Sequence, residues 1–297
     1  MDKCLASQAM RQGRCLAPRL LLAAALTLSA TAQAQQAPAK SAAKAPAQAA
    51  ARLAPELEPK AVALLQAMSA KLAAAQSMAF TATVTNEAPS RIGPPLAYTT
   101  VSEVTMQRPN RLRVIAAGDG PESEFYYDGQ TMTAYAPAEN LAAVAPAPPT
   151  LAAMLKQAYD NAAIYFPFDD VMAADPYQSI AEGVNVAFVI GQSKVVGGVA
   201  TDVVAVASQT LFVQIWIGVD DKLPRMMRAV FRGDPLRLRH QLEMSNWKLD
   251  PVLAAETFAS LKAAQAPRIA FAAPQPAPGR TAAARTQPAA RPASASK

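Results

Sequence analysis

The chain is poor in the residues that carry most protein chemistry. Two cysteines and one histidine stand among 297 residues. Zinc ribbons, iron–sulfur clusters and multi-histidine metal centres need clustered thiolate or imidazole ligands, so those classes are excluded. There are 12 glycines, and none falls in a Walker A loop, a G-x-G-x-x-G turn or a G-x-S-x-G elbow. The signatures of a nucleotide cradle and of an α/β-hydrolase nucleophile are therefore missing. Aromatic residues make up only 6% of the chain, against 52% hydrophobic residues. Much of the hydrophobic share is alanine, which buries little area, so large core anchors are few. The carboxylate pairs Asp169-Asp170 and Asp220-Asp221 sit at a predicted helix start and in a predicted turn, without the further oxygen ligands that calcium needs. His240 lies in register with apolar residues and reads as a half-buried strand residue. Arg108, Arg111 and Arg113 read as a solvated strand edge. No catalytic residue, metal ligand or cofactor site is assigned.

Long hydrophobic runs are also lacking. Arg11, Arg14 and Arg19 precede the apolar run Leu20–Leu28. A bilayer span takes about twenty residues, roughly twice as many. Ala32-Gln33-Ala34 follows as a small-x-small site, and the pattern is that of a secretory signal peptide, residues 1–34, cut after Ala34. Cys4 and Cys15 both precede that cut. Cys15 also precedes the apolar run, so it is not placed to be the acylated cysteine of a lipoprotein. The expected mature protein is cysteine-free and periplasmic; an uncleaved anchor is the alternative.

Charge is divided by region. The formal net charge is +6. Residues 58–256 nevertheless hold 15 basic and 20 acidic residues, a net of −5, and the excess of positive charge lies in the flanks. A basic nucleic-acid-binding domain is a poor reading of an acidic folding region. The flanks, 35–56 and 273–297, are Ala/Pro-rich with scattered Lys and Arg. They lack the bulky apolar residues that offset ordering entropy and are expected to be disordered. The basic tail reads either as a solvated segment or as an electrostatic contact to the anionic envelope.

Between the flanks the periodicity points to an α+β domain over 57–272. Val62, Leu65, Met68 and Leu72 recur at helical spacing over 57–75, behind Glu58 and Pro59, which suit a helix start. From residue 78 the period falls to two: Phe80, Ala82 and Val84 alternate with threonines. Strands are predicted at 96–107, 111–117, 123–128, 131–136 and 140–145, with turns at Pro109-Asn110 and Gly129-Gln130. Two short helices follow, at 150–160 with Thr150 as N-cap and from Pro167 to about Ala174. Strands resume at 184–193, 199–208, 211–219, 224–233 and 236–247 and run to the end. Meander connections without crossover helices imply a single curved antiparallel sheet, an unclosed half-barrel with the long N-terminal helix and the two short helices packed on it.

Several segments taken together carry a resemblance. They are Arg108-Pro109-Asn110-Arg111-Leu112-Arg113, Phe125-Tyr126-Tyr127-Asp128-Gly129 with Thr131 and Tyr135-Ala136-Pro137, Ala145-Pro146-Ala147-Pro148-Pro149-Thr150, Gln214-Ile215-Trp216-Ile217 and Leu223-Pro224-Arg225. In order and spacing they resemble the exported bacterial family known as domain of unknown function 2092, over roughly 57–272. That family is similar to the LolA-like group of periplasmic lipoprotein carriers. The resemblance implies an open antiparallel barrel over helices, with a hydrophobic cavity that takes acyl chains in the carriers.

The apolar strand faces supply the candidate ligand-cavity residues: Phe80, Val84, Val213, Ile215, Phe231, Leu238, Leu242 and Met244. A one-residue slip would exchange Val213 and Ile215 for Phe212 and Trp216. Equally, these side chains could simply pack under the helices. Three function classes follow: a non-enzymatic carrier or binding protein for an acyl chain, lipid or other apolar ligand; an envelope sensor or protein-interaction module using an open sheet edge; and an enzyme of unknown type.

Overall fold

The computed structural model describes residues 56–273. The expected signal peptide, nearly all of the Ala/Pro linker and the tail from 274 lie outside the described residues. Helix α1 (Pro59–Ala74) starts with proline at its first position and buries Ala61, Leu65, Met68 and Leu72. Six strands follow as a meander: β1 (Ser77–Ala88), β2 (Leu96–Gln107), β3 (Arg111–Gly118), β4 (Ser123–Tyr127), β5 (Thr131–Ala136) and β6 (Leu141–Pro146). Helices α2 (Leu151–Ala162), α3 (Asp169–Met172) and α4 (Pro176–Ala181) connect to a second meander. Its strands are β7 (Val186–Ser193), β8 (Thr201–Ala207), β9 (Leu211–Gly218), β10 (Pro224–Phe231) and β11 (Arg239–Leu249). A 3-10 turn at 255–258, α5 (Leu261–Gln265) and β12 (Arg268–Ile269) close the described chain.

The strands form one 12-stranded sheet in the order β12-β6-β5-β4-β3-β2-β1-β11-β10-β9-β8-β7. Antiparallel pairing of β1 with β11 joins the two meanders, and only β12 on β6 is parallel. The sheet is not closed; β12 and β7 are its edges. The β7 edge is partly capped. Ala187 N–H donates to Glu56 O, Glu58 N–H to Ala187 O, and Val189 N–H to the Glu58 carboxylate. No helix of the described residues is long and apolar enough to cross a membrane.

Strand alternation divides the sheet into two faces. On the helix-bearing face Phe80, Ala82 and Val84 join Val104, Met106, Leu112, Val114, Phe125, Tyr127, Val204, Val206, Ile215, Leu242 and Met244 in one buried core with α1, α2 and α3. Methionine fills much of it: Met68, Met78, Met106, Met132, Met154 and Met172 are six of the twelve largest fully buried side chains. The loop before α3 adds aromatic rings. Phe168 meets Phe80 edge-on at 5.8 Å, and Phe166 meets Phe125 at 5.2 Å. Thr150 caps α2 by accepting from Ala153 N–H at 3.3 Å. Asp175 caps α4, and the buried Ser69 of α1 accepts from Tyr177 N–H at 2.8 Å, fixing α4 against α1.

Four sequence expectations are corrected. Where two short helices are expected after the first meander there are three, α4 being the third, held by Asp175 and Ser69. The last long strand begins at Arg239, not at 236. Asp234 accepts from the N–H groups of Leu236 and Leu238, and Arg237 adopts φ 48°, so 233–238 is a turn and Leu236 is 59% exposed. The strands do not run to the end either. The segment 251–269 crosses the outward face, where Phe258, Ala263 and Ala266 are buried, the last two against Tyr135 and Ala142. Lastly, Arg108 is not part of a solvated edge. Its guanidinium donates to Ala75 O at 3.1 Å, Met172 O at 3.2 Å and Ala173 O at 3.0 Å, tying the end of α1 to the end of α3. These carbonyls are helix-end acceptors without intrahelical partners, and a planar cation meets several at once.

Candidate apolar-ligand site at the uncovered end of the helix-bearing face

Seven of the eight candidate side chains stand on strands and point to the helix-bearing face. Val213 and Ile215 are among them, while Phe212 and Trp216 point outward. Phe80, Val84, Ile215, Leu242 and Met244 belong to the buried core, and Val213 packs against it half-buried. Phe231 and Leu238 lie apart from that cluster. Leu238 is buried in the turn before β11, and Phe231 is half-buried at the end of β10.

The pairing register orders these residues into rows across the sheet. Ile215, Met227, Leu242 and Val84 stand side by side, and Val84, Leu242 and Ile215 are at most 6% exposed. The next row is Val213, Ala229, His240, Asn86 and Tyr98. There Val213, Ala229 and His240 are half-buried, and Tyr98 is 49% exposed. Beyond it Leu211 pairs with Phe231 and Ala88 with Leu96, which is 48% exposed. Among the described residues the face stays largely apolar for two rows beyond the last buried one. Sequence periodicity puts Leu211, Val213 and Phe231 on apolar strand faces but does not find Tyr98 or Leu96, whose part depends on which strands lie next to one another.

His240 sits in the middle of this end. Its Nδ1 is 2.9 Å from Asn86 Oδ1 and its ring meets Phe231 edge-on at 5.2 Å. Burial holds the imidazole below its ordinary value, against the opposing pull of Asp234 and Glu87. Burial thus favours the neutral form of the ring. Glu87 and Arg239, 2.7 Å apart, fasten β1 to the start of β11 beside it. Among the described residues no group of three or more His, Asp or Glu side chains is placed to hold a metal ion.

Another side chain on this face is invisible to simple alternation. Asn246 adopts φ 55° and its amide donates to Thr81 Oγ1. The register of β1 on β11 shifts there, and the extra residue turns Trp247 back to the helix-bearing face. Trp247 stacks on Phe80 at 4.4 Å and donates its indole N–H to Pro224 O at 3.0 Å.

Two preformed cavities lie elsewhere. One of about 50 Å³ sits between α1, α4, β7 and β8, bordered by Leu57, Val62, Leu65, Tyr177, Val184 and Val206. One of about 210 Å³ lies on the outward face under the C-terminal segment, bordered by Tyr126, Asp128, Thr133, Phe258, Ser260 and Arg268. Neither touches the eight candidates, and both fall below the roughly 300–1,000 Å³ usual for small-molecule pockets.

Among curated proteins none matches the chain. It is similar to several solved structures. One is LprF from Mycobacterium bovis, at 18% identity and TM-score 0.42, covering 67% of this chain and 97% of that one. A second is the MucA/MucB complex of Pseudomonas aeruginosa, at 15% identity and TM-score 0.39, covering 68% of this chain and 62% of that one. A third is a LolA superfamily protein from Nitrosomonas europaea, at 11% identity and TM-score 0.30, covering 66% and 97%. This chain spans 63% and 62% of two MucB chains it matches. The family described as "Predicted periplasmic protein (DUF2092)" matches residues 61–272, and the chain belongs to that family.

Proposed function

We propose that this protein is a periplasmic, non-enzymatic binding or carrier protein whose helix-bearing face takes an acyl chain or another apolar ligand. The observation that carries the reading is the uncovered end of that face. Val213, Phe231, Leu211, Leu96 and Tyr98 are partly or largely exposed there, contiguous with the buried row of Val84, Leu242 and Ile215. Contiguous apolar surface that the protein leaves in water marks a binding site. The methionines behind it are unbranched and adaptable, so the interior can repack around a guest that slides in from the open end.

Magnitudes favour binding without any catalytic group. Each methylene taken out of water contributes about 0.8 kcal/mol, so a twelve-carbon chain brings about 10 kcal/mol before ordering costs. Export through a cleaved signal peptide, with a mature N-terminus at Gln35, belongs to the same reading. The test is mass spectrometry of lipid released by organic extraction from the protein purified out of periplasm. A stoichiometric acyl-chain species is expected. Purification free of apolar molecules, together with no uptake of a fluorescent fatty acid, would remove the carrier reading.

A further inference from the structure

The outward face of the sheet falls into three zones. Over β3–β6 it is covered by the 3-10 turn, α5 and β12. Over β2, β1 and β11 it is polar, with Thr81, Thr83, Thr85, Gln241, Glu243 and Ser245. Over β7–β10 it is apolar, and no described element crosses it. Phe188 of β7 is 41% exposed. Phe212 and Trp216 of β9 and Met226 and Val230 of β10 are half-buried and point the same way. Beneath them Val203 is 5% and Ala205 0% exposed, although no described helix covers them. Trp216 stands opposite Val203, and Phe188 opposite Ala205. Among the described residues this is one layer of a hydrophobic core with no second layer on it.

Its border is cationic. Arg228 points outward between Met226 and Val230 and pairs across the ladder with Gln214 and Gln241. Arg232 and Arg237 follow in the turn and Arg239 opens β11. Of the five arginines over 225–239, Arg225 pairs with Asp221 and Arg239 with Glu87, while Asp234, the one carboxylate in that stretch, is engaged by its own turn; Arg228, Arg232 and Arg237 carry the remaining positive charge. Charge complementarity narrows the occupant. The chain outside the described residues holds seven basic residues and one acidic before Glu56, and four basic and none acidic after Ala273, so it repels this border. A second copy, related by a two-fold axis, would set arginines against arginines. An anionic bilayer would suit the arginines, but Phe212 and Trp216 are half-buried and leave little ring to insert among lipids.

We infer that the outward face of β7–β10 docks an amphipathic, acidic polypeptide segment of a partner protein, with apolar side chains over Phe188, Phe212 and Trp216 and carboxylates against Arg228, Arg232 and Arg237. The contact area is this face rather than the β7 edge, whose first half is already capped. It is the opposite side of the sheet from the acyl-chain site, so the two proposals fail independently.

The test uses the mature full chain and a fluorescein-labelled synthetic helix of about five turns, with leucine on one face and glutamate on both flanks. Its lysine-flanked counterpart and phosphatidylglycerol vesicles are the controls. The acidic peptide is expected to bind, to weaken with salt, and to shield Trp216 from acrylamide. The lysine-flanked peptide and the Arg228→Glu variant should each weaken binding about tenfold or more. Equal binding of the two peptides by the wild type overturns the proposal whether or not the variant folds. So does vesicle binding without peptide binding, which makes the face a lipid surface, or concentration-dependent dimerisation that shields Trp216 without peptide.

Discussion

At the scale of single residues, Arg108 does the most with one side chain. Burial pulls its guanidinium below the usual arginine range, yet three carbonyls from two helix ends hold it in place. Arg108→Met keeps much of the stem and strands those carbonyls, so it should cost about 2–4 kcal/mol in urea unfolding. Trp247 fills the helix-bearing face only because Asn246 takes the left-handed conformation. Trp247→Ala should cost about 3 kcal/mol by the same measurement. Asn246→Val should destabilise by straining the bulge, and Asn246→Gly should be tolerated far better. His240 brings a pH dependence. Its folded value lies below the ordinary 6.5, so the unfolded chain binds the proton first. Its contribution is present above that ordinary value and is lost as pH falls below it, toward the folded value. Melting temperature should therefore drop as pH falls through about 6.5, and less steeply in His240→Gln, which keeps a partner for Asn86.

At the scale of elements, the strands of both meanders were legible because period-two alternation and turn residues agree locally. Phe80-Thr81-Ala82-Thr83-Val84 needs no tertiary information to read as a half-buried strand. The failures share a different cause. Leu236 and Leu238 alternate like strand residues, but the Asp234 side chain captures both their N–H groups and makes a turn first. Helix α4 is six residues long and gains its place from Asp175 and Ser69, an interaction between positions 106 apart that no local window contains. The C-terminal segment likewise has little periodicity of its own and is shaped by what it covers. Its anchor is Phe258, with the Arg111 guanidinium 5.7 Å from the ring centre. Phe258→Ala should destabilise by about 3–5 kcal/mol and should make the bond after Arg268 a fast tryptic site. Unchanged tryptic protection would show that the segment is held by other contacts.

At the scale of the whole molecule, an open sheet that presents two apolar surfaces is the feature from which function follows. Among the described residues one surface carries helices and is partly exposed at Val213, Phe231 and Tyr98, and the other has no element across it over β7–β10. The sequence showed that the strands had apolar faces, but which rows escape cover depends on the sheet order and on where α1 to α4 end, neither of which is local. The most direct measurement is a titration of the delipidated mature protein with a fluorescent fatty acid, repeated on Val213→Glu. Val213 is half-buried at the uncovered end, so a carboxylate there can reach water and the melting temperature should fall by no more than a few degrees. The account predicts saturable binding by the wild type and a loss of about tenfold or more in the variant, because the acyl chain would have to desolvate the new charge. Saturable binding of equal strength in both proteins, or none in the wild type, would contradict a ligand site on this face.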